Sequence, residues 1–267
     1  MLIDCHAHLH VPAFDADRGE VRRRARAAGV AAVLVVGEDL EDDRRVAEVA
    51  AEPCAGGAAL LPCFGLHPDR FAEDRAAPGR EEIDAVKELL RASAGVVAAV
   101  GEVGLDYHYV KTEERRRAQA AALEELAALA IALELPLNVH SRSAGHYTID
   151  LLRAAGARRV LMHAFDGKAS YAARAAADGY VFSIPPSLVR SEQKQKLVRA
   201  LPLEALALES DAPVLGPERA ARNEPANLAL TLAFIARAHG VSPERVAEVT
   251  SAGARRLFPR LDAISVA

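Results

Sequence analysis

Residues 2–8 read LIDCHAH, a short apolar run that ends in two histidines with one residue between them. Side chains alternate between the two faces of a β-strand, so His6 and His8 project to the same side, about 6.5–7 Å apart along the chain. Two imidazoles in this arrangement can converge on one ion, whereas adjacent ones cannot. His10 has the same parity but lies past the predicted end of the strand and is left out of the ligand set. The stretch predicts a buried strand that carries metal ligands at its carboxyl end.

Seven further β-rich segments follow the first one along the chain. They read AAVLVVG, LLPCFGLHP, VVAAVGEVGLD, LPLNVHSR, VLMHAFDG, YVFSIPP and LALESDAP. Helix-like stretches lie between most of them, at residues 15–29, 41–52, 80–94, 113–135, 146–155, 168–178 and 191–201, and two more follow at 225–238 and 243–257. Eight strands that alternate with helices predict a single (β/α)8 TIM barrel, here with extra C-terminal helices. A doubly wound open sheet is the alternative, but no glycine-rich turn follows the first strand.

The composition is that of an ordinary globular protein. Of the 267 residues 51% are hydrophobic and 26% charged, and the net charge is −4, which neither demands nor excludes a polyanionic partner. Three cysteines without CxxC spacing favour a reducing compartment, and the absence of a signal-peptide pattern or an apolar stretch of roughly 18 residues favours a cytoplasmic protein without a membrane segment. No linker-like stretch interrupts the chain, and no apolar helix face is in surplus. We therefore expect one domain over residues 1–267, acting as a monomer.

Polar residues occur at the predicted carboxyl ends of six of the eight strands, where the active sites of such barrels lie. They are His6 and His8 on the first strand, His67 on the third, Glu102 and Asp106 on the fourth, His140 and Arg142 on the fifth, His163 and Asp166 on the sixth, and Glu209 and Asp211 on the eighth. A single histidine at a strand end is usually just hydrogen-bonded, and a single glutamate is usually an ion-pair partner. Because several independent strands deliver such groups to one rim, the pattern predicts a shared cavity.

With these motifs in this order, the chain resembles the TatD family of metal-dependent hydrolases, among the amidohydrolase-like barrels. The matching pieces are DCHAHL, GLHP, GEVGLD, NVHSR, LMHAFDG, SIPPS and LESDAPVLGPERAARNEPAN, from Asp4 to Asn227. The longer phrases NVHSRSAG and SIPPSLVRSEQKQKLV are most similar to the subgroup called TatD-domain-containing protein three. Two positions depart from the family pattern: Ser210 stands where threonine is frequent, and Ala164 where cysteine is frequent.

The resemblance implies two divalent ions, Mg, Mn or Zn, bridged by the Glu102 carboxylate. The implied ligands are His6, His8, Glu102 and Asp211 for one ion, and Glu102, His140 and His163 for the other. Imidazole and carboxylate suit such ions on chemical grounds as well. Related barrels bridge their ions with a carbamylated lysine, but no lysine lies near the end of the fourth strand here.

The activity that the resemblance implies is that of a deoxyribonuclease, a 3′→5′ exonuclease on single-stranded DNA ends, in DNA repair or degradation. Two ions about 3.5–4 Å apart lower the pKa of a shared water and clamp the attacking and leaving oxygens. Besides the bridging Glu102, we expect Asp211 to accept the proton of that water, and Glu209 to orient the water or a ligand.

Candidate phosphate contacts lie on the same rim. They are His67, Arg142, Ser187, Arg222 and Asn223. Arg190, Lys194 and Lys196 fit a phosphate contact and a solvated helix start equally well, and Tyr107 or Tyr109 is a candidate for stacking on a terminal base.

Two other functions stay open at this point. The same site suits an ester or amide bond, as in a D-aminoacyl-tRNA deacylase or a small-molecule amidohydrolase. A binding module with a structural metal is disfavoured, because structural sites are usually closed and sulfur-rich.

Overall fold

The computed structural model describes residues 1–264, and residues 265–267 of the predicted domain lie outside the described part. Eight parallel strands form one sheet in chain order. They are β1 (Leu2–Ala7), β2 (Val30–Val36), β3 (Ala59–Phe64), β4 (Ala99–Gly104), β5 (Leu137–His140), β6 (Val160–Met162), β7 (Val181–Ile184) and β8 (Leu206–Leu208). The sheet curls into a nearly closed barrel, so the predicted barrel fold is confirmed.

Helices separate the strands and cover the outside of the barrel. They are α1 (Arg18–Ala27), α2 (Leu40–Ala51), α3 (Arg80–Ser93), α4 (Glu113–Ala132), α5 (Gly145–Ala154), α6 (Ala169–Ala177), α7 (Glu192–Ala200), α8 (Leu228–His239) and α9 (Pro243–Leu257). Two predicted helices start too early: residues 15–17 form a turn before α1, and the 3-10 turn at Pro225–Asn227 precedes α8. No helix within residues 1–264 is long and apolar enough to span a membrane.

The inside of the barrel is packed with small and medium apolar side chains. Ile3, Cys5, Leu34 and Cys63 belong to this inner cluster, which also includes Phe258 just past the end of α9. A second, larger cluster lies between the strands and the surrounding helices. Because side chains fill the barrel, the polar cluster at its carboxyl end lies on a solid floor.

Candidate metal centre

Backbone hydrogen bonds just past the end of β8 join the last strand to the first. The N–H of Asp211 donates to the carbonyl oxygen of His6 at 2.9 Å, and the N–H of His8 donates to the carbonyl oxygen of Ala212 at 2.8 Å. Asp211 has a φ of 52°, in the left-handed region that non-glycine residues seldom adopt and that is over-represented at functional sites. The closure of the barrel thus places two histidines and one carboxylate at the same point.

Two irregularities in the sheet orient the side chains of the central ligand candidates. Between the pairs Asp4–Val33 and Ala7–Val35, two residues of β1 face one residue of β2, which is the pattern of a β-bulge. The same two-against-one pattern occurs in β4, where Gly101 and Glu102 lie opposite a single residue of β5. A bulge redirects side chains at the point where it occurs, and the two bulges here contain His6 and Glu102.

The residue opposite the second bulge is Asn138 of β5, whose side chain contacts β1. Its Oδ1 is 2.8 Å from His6 Nδ1, and its Nδ2 donates to the carbonyl oxygen of Cys5 at 2.8 Å. Gly101 is glycine because a Cβ there would lie 2.6 Å from the Cβ of Asn138. Glycine in the GEVGLD motif therefore permits a contact that holds a metal-ligand candidate in place.

The Glu102 carboxylate lies at the centre of five imidazoles. Its Oε2 is 3.2 Å from His6 Nε2 and 3.5 Å from His8 Nε2. Its Oε1 is 2.9 Å from His140 Nδ1, 3.3 Å from His67 Nε2 and 3.9 Å from His163 Nε2. One oxygen faces the first strand and the other faces the third, fifth and sixth, which is the arrangement that a bridging carboxylate requires.

Four of these histidines have their second ring nitrogen held by an oxygen atom at the same distance of 2.8 Å. The partners are Asn138 for His6, Asp69 for His67, Asp106 for His140 and Glu209 for His163. Such partners fix the ring orientation and the tautomer, and they leave the other nitrogen free to bind a metal. In each of these four rings one nitrogen is held by its oxygen partner and the other faces the cluster. The donor set therefore fits a divalent cation.

The ligand atoms form four groups whose members lie within 4.8 Å of one another. These groups are His6, His8 and Asp211; His6, Glu102 and His163; His67, Glu102 and His140; and Glu38, His67 and Asp69. The first group agrees with the predicted first ion. Around the second predicted ion, His67 joins Glu102 and His140, although the sequence placed it among the substrate contacts. The assignment of each ligand to an ion stays a prediction.

Charge and burial oppose each other in this cluster. Burial alone would lower the pKa of His6, but the Glu102 and Asp211 carboxylates raise it to about 10. Burial raises the pKa of Glu102, yet the neighbouring His67 and His6 imidazoles hold it well below its usual range. The pKa of Asp211 is also lowered, against the effect of burial, chiefly by the charge of His163. Protons and a divalent cation therefore compete for the same imidazoles, and metal binding releases protons.

The cluster forms the floor of a cavity of about 500 Å³, which is in the range of small-ligand sites. Its walls include Tyr109, Arg142, Asp166, Lys194 and Val214. The cavity is open to solvent above the cluster, unlike a closed structural metal site.

Of the predicted substrate contacts, Arg142 and His67 line this cavity. Arg222 does not: its guanidinium donates to Asp17 at 2.6 and 2.8 Å and stacks over the ring of Phe14 at 4.7 Å. Asp17 and the carbonyl oxygen of Ala13 use three of its five N–H donors in the described structure, and the contact of Arg222 with substrate stays a prediction.

Asn223 and Ser187 are also absent from the cavity wall. The Asn223 amide donates to the carbonyl oxygens of Ser210 at 2.6 Å and Val214 at 2.8 Å, so it shapes the loop after β8. Ser187 is buried, and its N–H donates to the carbonyl oxygen of Leu215 at 2.7 Å. Both residues contribute hydrogen bonds to the loops of the rim, and their contact with substrate stays a prediction.

Glu209 is a buried positioning residue. Its Oε2 accepts from Ser183 Oγ at 2.5 Å and lies 2.8 Å from His163 Nδ1, while its Oε1 accepts from the N–H of Ala164 at 3.0 Å. It does not line the cavity, so of its two predicted roles the structure favours orientation of a ligand over orientation of the water.

Sequence reasoning left Lys194 undecided between a phosphate contact and a solvated helix start. This side chain is only 8% exposed, lines the cavity and donates from Nζ to the carbonyl oxygen of Ala164 at 3.0 Å. Burial lowers the pKa of Lys194. A signal was present, because Lys194 shares one face of α7 with the buried Leu197 and Val198, at the i, i+3 and i+4 spacing of an inward face.

Comparisons with known proteins agree with this geometry. Residues 3–259 match the model of a family described as TatD related DNase. The chain is 43% identical to the mouse protein "Putative deoxyribonuclease TATDN3" over 267 residues, which cover 98% of this chain and 90% of that protein. It is 42% identical to the human "Deoxyribonuclease TATDN3", with 97% and 95% covered. Among solved structures, YJJV, a TATD homologue from Escherichia coli, superposes with a TM-score of 0.86 at 26% identity over 97% of this chain and 98% of the other.

Proposed function

The chain belongs to the TatD-related DNase family, as the sequence motifs suggested, and on this premise we propose that it is a divalent-metal-dependent deoxyribonuclease that removes nucleotides from the 3′ ends of single-stranded DNA. The observation that carries the proposal is the position of Glu102, whose two oxygens face separate groups of imidazoles at the floor of an open cavity.

Two divalent ions of the Mg, Mn or Zn class, when bound, supply an acidified water and neutralise phosphate charge. The ligands that we propose for them are His6, His8, Glu102, Asp211, His140 and His163, with His67 within reach of the second ion. The anchoring of their second nitrogens fixes the rings of His6, His67, His140 and His163 before an ion arrives, which lowers the cost of binding.

The chain's own residues move the proton and hold the phosphate. Asp211 lies 3.5 Å from His8 Nε2 and borders the cavity, so its carboxylate is placed to accept the proton of the attacking water. Within the described part of the chain, Ala164 takes one of the three ammonium hydrogens of Lys194, which leaves two for a phosphate oxygen. Arg142, at the cavity mouth, adds a second cation.

These two cations favour a phosphodiester over a neutral ester or amide. A small neutral ester or amide brings no negative charge to the site, so it offers the buried Lys194 ammonium no anionic group to contact. A phosphodiester brings one negative charge, which a buried ammonium and a guanidinium stabilise together.

We further propose that the chain acts as one hydrolase domain over residues 1–267 and as a monomer in the cytoplasm, in DNA repair or degradation. The free cysteines Cys5, Cys54 and Cys63 support a reducing compartment. Size-exclusion chromatography with light scattering checks the monomer, and a dimer mass would overturn it.

The decisive experiment is the digestion of a 5′-labelled single-stranded oligonucleotide by protein reconstituted with Mg²⁺, Mn²⁺, Zn²⁺ or Co²⁺. We expect stepwise shortening from the 3′ end by the wild type and none by Glu102→Ala. Asp150→Ala, at an exposed carboxylate on α5, serves as the matched control. Failure of the wild type with all four ions would overturn the nuclease, and ester or amide substrates would come next.

A further inference from the structure

The tyrosines of this protein are unevenly distributed. The chain contains five tyrosines and no tryptophan. Tyr180 is buried, and its hydroxyl donates to the carbonyl oxygen of Ala157 at 3.1 Å. The other four, Tyr107, Tyr109, Tyr147 and Tyr171, all lie between the end of β4 and the middle of α6, on the side of the barrel where the fourth to sixth strands end.

Three of these rings form a continuous set of contacts with one histidine. The ring of Tyr107 lies 5.1 Å from that of Tyr147, Tyr147 lies 3.8 Å from His146, and His146 stacks on Tyr171 at 5.2 Å with an angle of 22° between the planes. We call these four residues the tyrosine ridge together with Tyr109, whose ring contacts His108 at 4.8 Å. Tyr109 is 49% exposed and Tyr147 50% exposed, so two rings of the ridge present large areas to solvent.

Arginines are interleaved with the ridge. The guanidinium of Arg116 lies 4.2 Å from the ring of Tyr107, that of Arg142 lies 5.1 Å from Tyr109, and that of Arg174 lies 4.9 Å from Tyr171. Among the described residues, none of these three arginines forms an ion pair with a carboxylate. Their charges thus remain available to an anionic partner, while their planes lie near the aromatic faces.

The ridge begins inside the catalytic cavity. Tyr109 and Arg142 line that cavity, and the N–H of Tyr107 donates to the carbonyl oxygen of Arg142 at 3.0 Å. Asp106 links the ridge to the metal-ligand cluster: its Oδ2 is 2.8 Å from His140 Nε2, and its Oδ1 accepts from the N–H of Tyr109 at 2.7 Å. One carboxylate therefore holds both a ligand candidate and the first ring of the ridge.

We propose that the tyrosine ridge binds unpaired bases of a DNA strand next to the phosphate that is cleaved. This inference rests on the proposed function: it adds that the bases of that single strand stack on the tyrosines while its phosphates contact the interleaved arginines. Aromatic faces accept every base, so the ridge gives affinity without sequence preference. Bases of a duplex are already stacked on each other, so a duplex gains nothing from the ridge.

The absence of tryptophan provides a direct measurement. Four of the five tyrosines belong to the ridge, so bases that stack there quench most of the intrinsic tyrosine fluorescence. The full-length protein is titrated in a chelator, which prevents cleavage, with an oligothymidylate of eight nucleotides. An abasic strand of the same length carries the same phosphate charges. We expect the thymidine strand to quench the fluorescence and the abasic strand to bind more weakly with little quenching.

Variants test the two exposed rings separately. We expect Tyr147→Ala and Tyr109→Ala each to weaken binding of the thymidine strand by about 5- to 100-fold, the range for the loss of one base–aromatic stack. Tyr147→Phe keeps the ring and restores binding relative to Tyr147→Ala. Val96→Ala, at an apolar side chain that is 67% exposed before β4, is the matched control and keeps the wild-type affinity.

Two results would overturn the ridge: wild-type affinity in both alanine variants, or equal binding of the thymidine and abasic strands. Tighter binding of a duplex than of a single strand would overturn it as well. The cleavage assay described for the proposed function is separate. If the wild type digests DNA and any of these three results is obtained, the ridge alone is refuted. If the wild type digests no DNA, the nuclease is refuted.

Discussion

The N–H of Asp211 donates to the carbonyl oxygen of His6 at 2.9 Å, and the side chains of the same two residues approach to 3.7 Å between Asp211 Oδ1 and His6 Nε2. One pair of residues thus joins the last strand region to the first and also contributes two ligand candidates to one ion. The geometry of the first metal group and the closure of the barrel are therefore the same structural feature. Any loosening of the contact between the ends of β1 and β8 moves these two ligand candidates apart.

Removal of divalent ions destabilises the protein. An ion at 100 times its Kd contributes about 2.7 kcal/mol to the free energy of unfolding, which for a domain of this size corresponds to about 5–10 °C in Tm. We expect a Tm lower by this amount in chelator than in saturating Mn²⁺ or Zn²⁺, measured by calorimetry. Asp211→Asn loses most of the shift, while Asp150→Asn on α5 keeps it. An equal Tm with and without ions would contradict the metal centre.

Loss of the buried ammonium at Lys194 impairs catalysis on charged substrates. Lys194→Gln removes a charge-assisted hydrogen bond to the phosphate, a contribution of about 1.5–3 kcal/mol, so kcat/KM on DNA falls about 10- to 100-fold. Lys196→Gln, two residues along α7 with its side chain 73% exposed, is the matched control and leaves kcat/KM unchanged. Equal losses in both variants would indicate a general effect of charge rather than a contact in the cavity.

Glu209 acts on metal affinity through His163. Glu209→Gln replaces the acceptor of His163 Nδ1 and Ser183 Oγ by an amide, and loss of such a partner typically weakens metal binding about 10- to 100-fold. Titration of the chelator-treated variant with Zn²⁺ measures this affinity directly. A purely structural role would lower the Tm and leave the metal affinity of the folded protein unchanged.

The bulge in β4 depends on the absence of a side chain at Gly101. In Gly101→Ala the new Cβ lies 2.6 Å from the Cβ of Asn138, so strand or side chain must shift at a cost of about 1–3 kcal/mol. We expect a lower midpoint in urea and weaker metal binding, because Asn138 holds His6. Gly95→Ala, where a Cβ meets nothing within 4 Å, is the control. Unchanged metal binding in Gly101→Ala would refute the link between the bulge and the ligands.

Asp43 gives stability an unusual dependence on pH. Burial raises the pKa of this carboxyl well above its usual value, and its Oδ2 has no hydrogen-bond partner in the described structure. The folded state then binds more protons than the unfolded state, so this contribution to stability is lost as pH rises toward the folded pKa. Asp43→Asn keeps an acceptor for the N–H of Gly65 and never ionises.

We therefore expect the free energy of unfolding of Asp43→Asn, relative to that of the wild type, to increase from pH 5 to pH 8, measured by urea unfolding in chelator. Asp150→Asn shows no such gain. A constant difference between Asp43→Asn and the wild type across this range would show that Asp43 does not titrate there.

The predicted substrate contacts depend on partners that the sequence does not show. Arg222 and Asn223 belong to a motif at the carboxyl-end rim of the barrel. A hydrogen-bond donor there can contact the substrate or hold the protein's own loops together. The alternation of side chains along a strand does not distinguish the two. Here Asp17 occupies the guanidinium of Arg222, and backbone carbonyls occupy the amide of Asn223. Lys194 is the opposite case. The sequence left open that it lies at a solvated helix start, but in the structure it belongs to the buried face of α7.

Sequence alone determined the barrel and the strand ends that carry the ligands. Strand periodicity and the alternation with helices are local properties, and parallel strands of one barrel deliver their carboxyl ends to one rim. Only the tertiary structure decided how the ligands meet. The bulges at His6 and Glu102, the contact of Asn138 with His6 across 132 residues, and the bond from Ser210 to Asp4 across 206 residues join parts of the chain that no local pattern relates. Such contacts exist only after the barrel has closed, so the geometry of the site is a property of the closed barrel.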